Sequence, residues 1–234
     1  MNYYQTERRR VGELTDSIYI RQVYVWMTIG LALTGLVAMY AADSQTIRQA
    51  VFGSTFTFII LIIAQFGMVI ALSAAVHKMS AGMATGIFLL YSAISGVTFS
   101  SIFLVYTAES ISTAFFTAAG MFLLMSVYGT VTKRDLTNWG SFLFMGLIGI
   151  VIASIVNIFL KNSTMSLVIS CIGVIVFTGL TAYDTQKLRR LGAEIDVNDS
   201  LTMRRMVILG ALTLYLDFIN LFLMLLQLFG GRRD

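Results

Sequence analysis

The chain has 234 residues, of which 57% are hydrophobic and 12% are charged, and its mean hydropathy is +0.82. A soluble domain carries about 25% charged residues, so this chain has too little charge to cover a water-soluble globule. The single cysteine, Cys171, excludes an intramolecular disulfide framework, and one cysteine with one histidine does not supply a zinc site. The net charge of +4 does not indicate nucleic-acid binding, because basic residues in membrane proteins mark cytoplasmic loops. The composition predicts an integral membrane protein.

Seven apolar runs follow a polar N-terminal segment, residues 1–22, and each is long enough to cross a bilayer. None shows the strict alternation of a barrel strand, and backbone groups in lipid must bond within their own segment, so we predict helices throughout. We interpret the first run as a retained helix rather than a cleaved signal. We predict one seven-helix domain over residues 23–229 and a short tail, residues 230–234. The runs cover residues 23–42, 51–76, 81–105, 113–131, 140–160, 165–183 (open to extension as far as 188) and 206–229.

The distribution of lysine and arginine predicts the orientation of the chain. With the N-terminus in the cytoplasm, only Arg48, Lys161, Arg232 and Arg233 of the sixteen basic residues lie outside. Seven crossings then place the C-terminus in the periplasm. If the seventh run re-entered the membrane instead of crossing it, the tail and its two arginines would lie inside, and both topologies stay open.

Small residues on the third run predict close packing between helices. Gly82 and Gly86 form one pair at helical spacing, and Ser92 and Gly96 form another. The hydrophobic effect does not drive helices together within lipid, so their association depends on close packing. Pairs of small residues permit it because they let two backbones approach closely. The alternative is a pore lining formed by Ser92, Ser95, Gly96 and Ser100.

Two acidic residues in the last two runs are the main functional candidates. Asp217 lies eleven positions past Met206, about 16 Å along a helix and thus near the centre of the bilayer. An aspartate there costs about 2.5–3.5 kcal/mol, so it needs a partner or a function. Asp184 lies where the sixth run meets the cytoplasmic side. By itself it would be an ordinary solvated carboxylate, but it could approach Asp217 if the sixth helix continues to Leu188 or beyond and water enters from the cytoplasm.

Antiparallel packing of the sixth and seventh helices would bring Asp184 toward Asp217. Two carboxylates in a site of low dielectric constant cannot both ionise cheaply, so they would share one proton. At low pH this proton joins the two helices; at higher pH it leaves, the carboxylates repel each other, and a cation becomes the compensating charge. Two interpretations stay open: a pH-gated cation site, and a structural hydrogen bond from Asp217 to a tyrosine, serine or asparagine on a neighbouring helix.

Other polar residues within the runs are weaker candidates. Asn157 and Asn220 are more typical of hydrogen bonds between helices than of ligands. These two asparagines, together with Tyr183 and Tyr215 beside the aspartates, are possible supporting groups of an ion pathway. The sequence contains no phosphate-binding glycine loop and no nucleophile–base pair, so we expect neither an enzyme nor a cofactor.

Two blocks near the C-terminus resemble a known family. Residues 210–222 read GALTLYLDFINLF, and residues 179–186 read GLTAYDTQ. Together they resemble the C-terminal signature of the transmembrane Bax inhibitor motif family, whose bacterial members lie in the inner membrane, and the resemblance extends over residues 23–229. It implies a seven-helix fold in which the last helix is central and the other six surround it.

The resemblance also implies a pH-sensitive calcium leak whose sensor is a pair of aspartates, matched here by Asp184 and Asp217. Calcium takes about 6–8 oxygen ligands, so two carboxylates with amide, tyrosine or water oxygens make only a weak site, which suits a leak. In some bacterial relatives an arginine near the end of the second helix acts as a lock. The matching residue is Lys78, which cannot form the bidentate fork of an arginine. The 6–7 loop, which varies within the family, looks long here.

The same family gives a second hypothesis, because some members are linked to regulation of a membrane-bound protease. A non-transporting regulator of this kind would contact its protease through the polar N-terminus, residues 1–22. The cell-death role of other members does not transfer safely to a bacterial-looking chain. The expected partners are therefore the lipid bilayer, calcium or other cations, and on the second hypothesis a membrane-bound protease.

Overall fold

The computed structural model of the chain describes residues 3–195 and 199–231, with side chains described from Ser17 onward. These residues form helices and no β-strand, and seven helices are long and apolar enough to cross a membrane. The predicted all-α, multi-span architecture is thereby confirmed. Arg232 and Arg233, used above for the orientation, lie outside the described residues. The elements are α1 (Tyr3–Asp43), α2 (Gln45–Phe52), α3 (Thr55–Ala75), a 3₁₀ turn (Val76–Lys78), α4 (Ala81–Val105), α5 (Ala108–Val131), α6 (Thr137–Leu160), α7 (Ser163–Glu194) and α8 (Ser200–Phe229).

Capping side chains decide where several of these helices begin. The Ser54 hydroxyl accepts a hydrogen bond from the Thr57 N–H, which starts α3 and separates it from the short helix α2. The Thr107 hydroxyl accepts one from the Ser110 N–H in the same way, so α5 includes Glu109, which lies outside the predicted run. Apolar content shows the part of a helix that sits in lipid, whereas caps show where the helix starts.

The helix α1 is continuous through residues 17–22, before the predicted start of the apolar run. Tyr19 is fully buried, and its hydroxyl donates a hydrogen bond to the Met206 carbonyl at 3.1 Å. The end of the polar segment predicted as residues 1–22 is therefore part of the membrane helix. A tyrosine at such a position has an apolar ring to bury and a hydroxyl that needs one partner.

The helices α7 and α8 both extend beyond the sixth and seventh apolar runs. The prediction of a long 6–7 loop was wrong, because most of that polar stretch is helical. Asp199 caps the start of α8 by accepting a hydrogen bond from the Thr202 N–H at 2.9 Å. Hydrogen bonds from the side chain and backbone of Thr202 lower the pKa of the exposed Asp199 carboxyl group.

The described residues form two compact units. The first comprises the described part of Met1–Val105 together with Leu188–Tyr215, and the second comprises Tyr106–Lys187 together with the described part of Leu216–Asp234. Both α7 and α8 therefore contribute one segment to each unit. Among the seven spans, α8 has the largest share of buried residues in its apolar part: 67%, against at most 44% in any other span. A central position for this helix stays a prediction that its burial favours.

Within the first unit, α1 and α4 pack closely at Gly96. A Cβ at this glycine would lie 2.6 Å from the Thr34 carbonyl oxygen and 2.8 Å from the Val37 side chain. The predicted packing role is thus confirmed at Gly96. A Cβ at Gly82 or Gly86 would meet nothing within 4 Å, so the prediction that these two glycines pack against another helix is wrong for the described residues.

The second unit packs α5 and α6 against α7, and α5 against α8. Gly129 of α5 lies against the Ala182 carbonyl of α7, and Gly140 of α6 lies against the Tyr183 ring. Between α5 and α8, the Phe218 ring meets the rings of Phe115 and Phe122 edge-on, at centroid distances of 5.5 and 5.6 Å respectively. Glycines let backbones approach closely, and edge-on aromatic pairs fill the remaining space.

Candidate functional site

Asp184 and Asp217, hereafter the carboxyl pair, are hydrogen-bonded to each other between α7 and α8 in the second unit. Asp217 is 5% exposed, and Asp184 is half-buried. The helix α7 continues past Asp184 to Glu194, which meets one of the two conditions for their contact, while the entry of water from the cytoplasm stays a prediction. The structure therefore brings together the two residues that the sequence singled out.

The register of α7 on α8 explains why the two carboxyl groups meet. Further from the pair, the Ser170 hydroxyl donates a hydrogen bond to Gln227 Oε1 at 2.7 Å. A Cβ at Gly173 would lie 2.7 Å from the Met224 side chain, so the helices also touch there. Each step forward along α7 is a step backward along α8, which is the antiparallel arrangement expected of consecutive spans. The carboxyl pair continues this register.

One oxygen of Asp217 has no fixed donor. Asp217 Oδ2 is buried, and within the described residues no N–H or hydroxyl donates a hydrogen bond to it. The structural alternative, a bond from a neighbouring tyrosine, serine or asparagine, is therefore not observed at this oxygen in the described part of the chain. Buried polar atoms normally have partners, so this carboxylate depends on an acid proton, a water molecule or a cation.

Gln186, two residues after Asp184, fastens the connection between α5 and α6 to α7. Its Nε2 donates to the Arg134 carbonyl at 2.8 Å, and its Oε1 accepts from the Leu136 N–H at 2.9 Å. The side chain is buried, and it satisfies backbone groups that would otherwise lack partners. Sequence reasoning missed this residue, and the only signal was its position in the block that includes Asp184.

The tyrosines predicted to support an ion pathway have other partners. The Tyr183 ring lies against Gly140, and Lys187 Nζ lies 6.0 Å from its centroid. The Tyr215 hydroxyl forms a hydrogen bond with Thr34 Oγ1 at 2.8 Å within the first unit. Both rings therefore act in helix packing, and in the described residues neither hydroxyl bonds to the carboxyl pair.

The two asparagines are also occupied elsewhere. Asn220 Nδ2 donates to the Leu216 carbonyl of its own helix at 2.8 Å, and Asn157 Oδ1 accepts from the Asn162 N–H at 3.1 Å, where α6 ends. Asp184 lies 21 residues after the start of α7 at Ser163, about 31 Å along the helix axis. Asn157 thus belongs to the opposite end of the α6–α7 hairpin, and its predicted support of the pair does not fit this placement.

The basic residue that faces the carboxyl pair is Lys187. It lies three residues after Asp184 on α7 and interacts electrostatically with that carboxylate. Lys78, the candidate lock, is exposed in the 3₁₀ turn of the first unit. Its locking role stays a prediction. The sequence held a signal for Lys187, namely its spacing of three residues from Asp184.

Comparison with known proteins extends the resemblance over nearly the whole chain. A family model described as inhibitor of apoptosis-promoting Bax1 matches residues 17–234. Inner membrane protein YbhL of Escherichia coli strain K12 is 58% identical over 215 residues, which cover 92% of each chain. An uncharacterized protein of Borreliella burgdorferi is 47% identical over 94% of this chain and 95% of its own. The uncharacterized protein RP147 of Rickettsia prowazekii is 42% identical over 92% of this chain and 90% of its own.

These similarities agree with the structure. The match covers all seven apolar helices and both members of the carboxyl pair. Seven such helices and a relative in the inner membrane support a multi-pass inner-membrane protein. The chain belongs to the Bax inhibitor-like family.

Proposed function

We propose that this protein is a pH-gated cation leak of the inner membrane, with calcium as the expected ion and the carboxyl pair as the gate. The observation that carries the proposal is the hydrogen bond between Asp184 and Asp217, two acidic groups on consecutive membrane helices. A charged residue inside a membrane span is expensive and is a functional candidate by default. Two acidic residues in contact can share a proton or bind a cation, which gives the site a specific chemistry.

At low pH the pair holds one proton. The proton forms a carboxyl–carboxylate hydrogen bond, which is short and strong because one partner is ionised. This bond joins α7 to α8 within the second unit. The contacts of α7 with Gly129, Gly140 and the α5–α6 connection hold its backbone beside the pair. We therefore assign the protonated pair to the closed state.

At higher pH the proton leaves and two negative charges face each other. Their repulsion is large in a site of low dielectric constant, and Asp217 Oδ2 has no fixed donor among the described residues to compensate it. A cation between the carboxylates relieves the repulsion. Lys187 supplies one positive charge to Asp184 from the α7 side and thereby weakens cation binding, which favours passage over retention.

Calcium suits this site as a permeant ion rather than as a resident one. No group of three or more metal-ligating side chains occurs among the described residues. Two carboxylates leave most of the 6–8 oxygen positions of calcium to water or backbone carbonyls. Such a site binds weakly, and a leak needs weak binding so that the ion leaves again.

Calcium flux into vesicles tests the proposal. Wild-type protein, Asp184→Asn and Asp217→Asn are compared at about pH 6 and about pH 8, on either side of the expected deprotonation. We expect wild-type flux to rise at the higher pH and both variants to lose that rise. Asp43→Asn, an exposed aspartate at the end of α1, is the matched control and should behave as wild type.

The same vesicles separate the leak from the protease regulator. Deleting residues 1–16 keeps both the buried Tyr19 and the apolar run of residues 23–42. A leak keeps its flux after this deletion, whereas a regulator that contacts its protease through the N-terminus loses its effect on proteolysis. Equal flux from wild type and both aspartate variants at both pH values would contradict the leak and favour the regulator.

A further inference from the structure

A cavity of about 190 Å³ lies in the first unit, between the α1 segment at the start of the first apolar run and the first turns of α4 and α8. Gln22 lies one residue before the first apolar run, Thr85 lies in the first turns of α4, and Arg204 lies in the first turns of α8. The cavity is therefore at the level of the membrane surface rather than at the bilayer centre. Its lining consists of Gln22, Trp26, Thr85, Arg204, Val207 and Ile208.

The cavity combines an apolar floor with one unused positive charge. Val207 and Ile208 are each 1% exposed. Arg204 is exposed, and in the described part of the chain its guanidinium has no hydrogen-bond or ion-pair partner. The neighbouring Arg205 differs, since it donates to the His77 carbonyl at 2.7 Å and to the Thr202 hydroxyl at 3.0 Å. Arg204 is thus free to bind an anion, whereas Arg205 is already hydrogen-bonded to groups of the protein.

The surroundings of the cavity favour a lipid as the source of that anion. Trp26 lines it, and tryptophan is enriched where membranes meet water. Beside Thr85, the glycines Gly82 and Gly86 are exposed, and a Cβ at either would meet nothing within 4 Å. This bare stretch of α4 leaves space beside the cavity for the glycerol group and, at Gly86, for the start of an acyl chain.

We propose that the cavity binds the phosphate-bearing head group of an anionic phospholipid. Arg204 pairs with the phosphate, the Gln22 amide donates a hydrogen bond to it, and the acyl chains run from Gly86 toward the centre of the bilayer. At about 30 Å³ per water molecule, the cavity has the room of about six waters, which fits a phosphate and its glycerol but not the chains. Basic pockets between membrane helices bind anionic head groups in this way.

Tryptophan quenching by brominated lipid tests this site in the full-length protein. The chain has two tryptophans, so Trp139→Phe leaves Trp26 as the only one to report. In vesicles with increasing brominated phosphatidylglycerol, we expect Trp26 to be quenched at about one-fifth of the mole fraction needed with brominated phosphatidylcholine. Arg204→Gln should abolish this preference, and Arg21→Gln, an exposed arginine that does not line the cavity, should keep it.

A second variant keeps the test independent of the charge. Thr85→Leu fills the cavity and retains Arg204, so it should also reduce the preference for phosphatidylglycerol. Inorganic phosphate added to the vesicles distinguishes a lipid from a soluble anion: it should not displace the lipid. Equal quenching by both lipids in the Trp139→Phe protein, a preference that survives Arg204→Gln, or displacement by phosphate would overturn the proposal.

Discussion

Gly129 on α5 lies so close to the Ala182 carbonyl on α7 that a Cβ at Gly129 would overlap the carbonyl group. Ala182 is two residues before Asp184, so this contact sets the position of the α7 backbone beside the carboxyl pair. The hydrogen bond between the aspartates thus depends on a backbone contact on another helix. The packing of α5 on α7 and the geometry of the carboxyl pair are therefore linked in the second unit.

Substitution of Gly129 by alanine is expected to destabilise the protein by about 1–3 kcal/mol, because the added methyl group forces the two backbones apart. Gly120 lies on the same helix, and a Cβ there would meet nothing within 4 Å. Gly120→Ala is therefore the matched control and should change stability by less than about 0.5 kcal/mol. Thermal unfolding in detergent measures both. Equal effects of the two substitutions would show that the α5–α7 contact does not limit stability.

Replacing Gln186 by methionine removes both hydrogen bonds to the α5–α6 connection but keeps the side-chain volume. Two backbone groups then lose their partners, at a cost of about 1–3 kcal/mol each. We expect trypsin to cleave after Lys133 and Arg134 several-fold faster in the variant. Gln45→Met, in the exposed face of α2, is the control and should leave this cleavage unchanged. An unchanged cleavage rate in Gln186→Met would mean that other contacts hold the connection.

Tyr215→Phe tests the separation of this tyrosine from the ion pathway. The variant loses the hydrogen bond with Thr34 and keeps the ring, whose edge contacts with Phe88 and Tyr91 remain. We expect a loss of about 0.5–1.5 kcal/mol in unfolding free energy and no change in the pH dependence of flux. A shifted pH dependence would return Tyr215 to the pathway.

The cap at Asp199 predicts a local pH dependence at the start of α8. The pKa of this carboxyl group is lower in the folded protein than in the unfolded chain, so the ionised cap stabilises the helix start above about pH 4. That stabilisation is lost as the pH falls below this value. Amide-exchange protection of Thr202, corrected for intrinsic rates, should fall in this range. Asp199→Ala should show low protection at every pH, and a pH-independent wild type would contradict the cap.

The seven spans were predictable from the sequence because lipid requires long apolar helices, and the carboxyl pair was predictable because acidic residues in such helices are rare. Which small residues pack was not predictable from spacing. Gly96 and Gly82 both belong to pairs at helical spacing, yet only Gly96 faces another helix, since the rotation of α4 decides it. Gln186 and the polar ends of α7 and α8 were missed because their environment depends on tertiary contacts rather than on hydropathy.

Infrared spectroscopy of aspartate-labelled protein tests most directly whether the carboxyl pair holds a proton. In the wild type we predict a protonated-carboxyl band at about pH 6 that disappears by about pH 8, where the second carboxylate forms. Asp217→Asn removes the neighbouring charge, so its band at pH 6 should be weak or absent. A wild-type spectrum with both aspartates ionised at pH 6, or a band that persists unchanged at pH 8, would contradict the account.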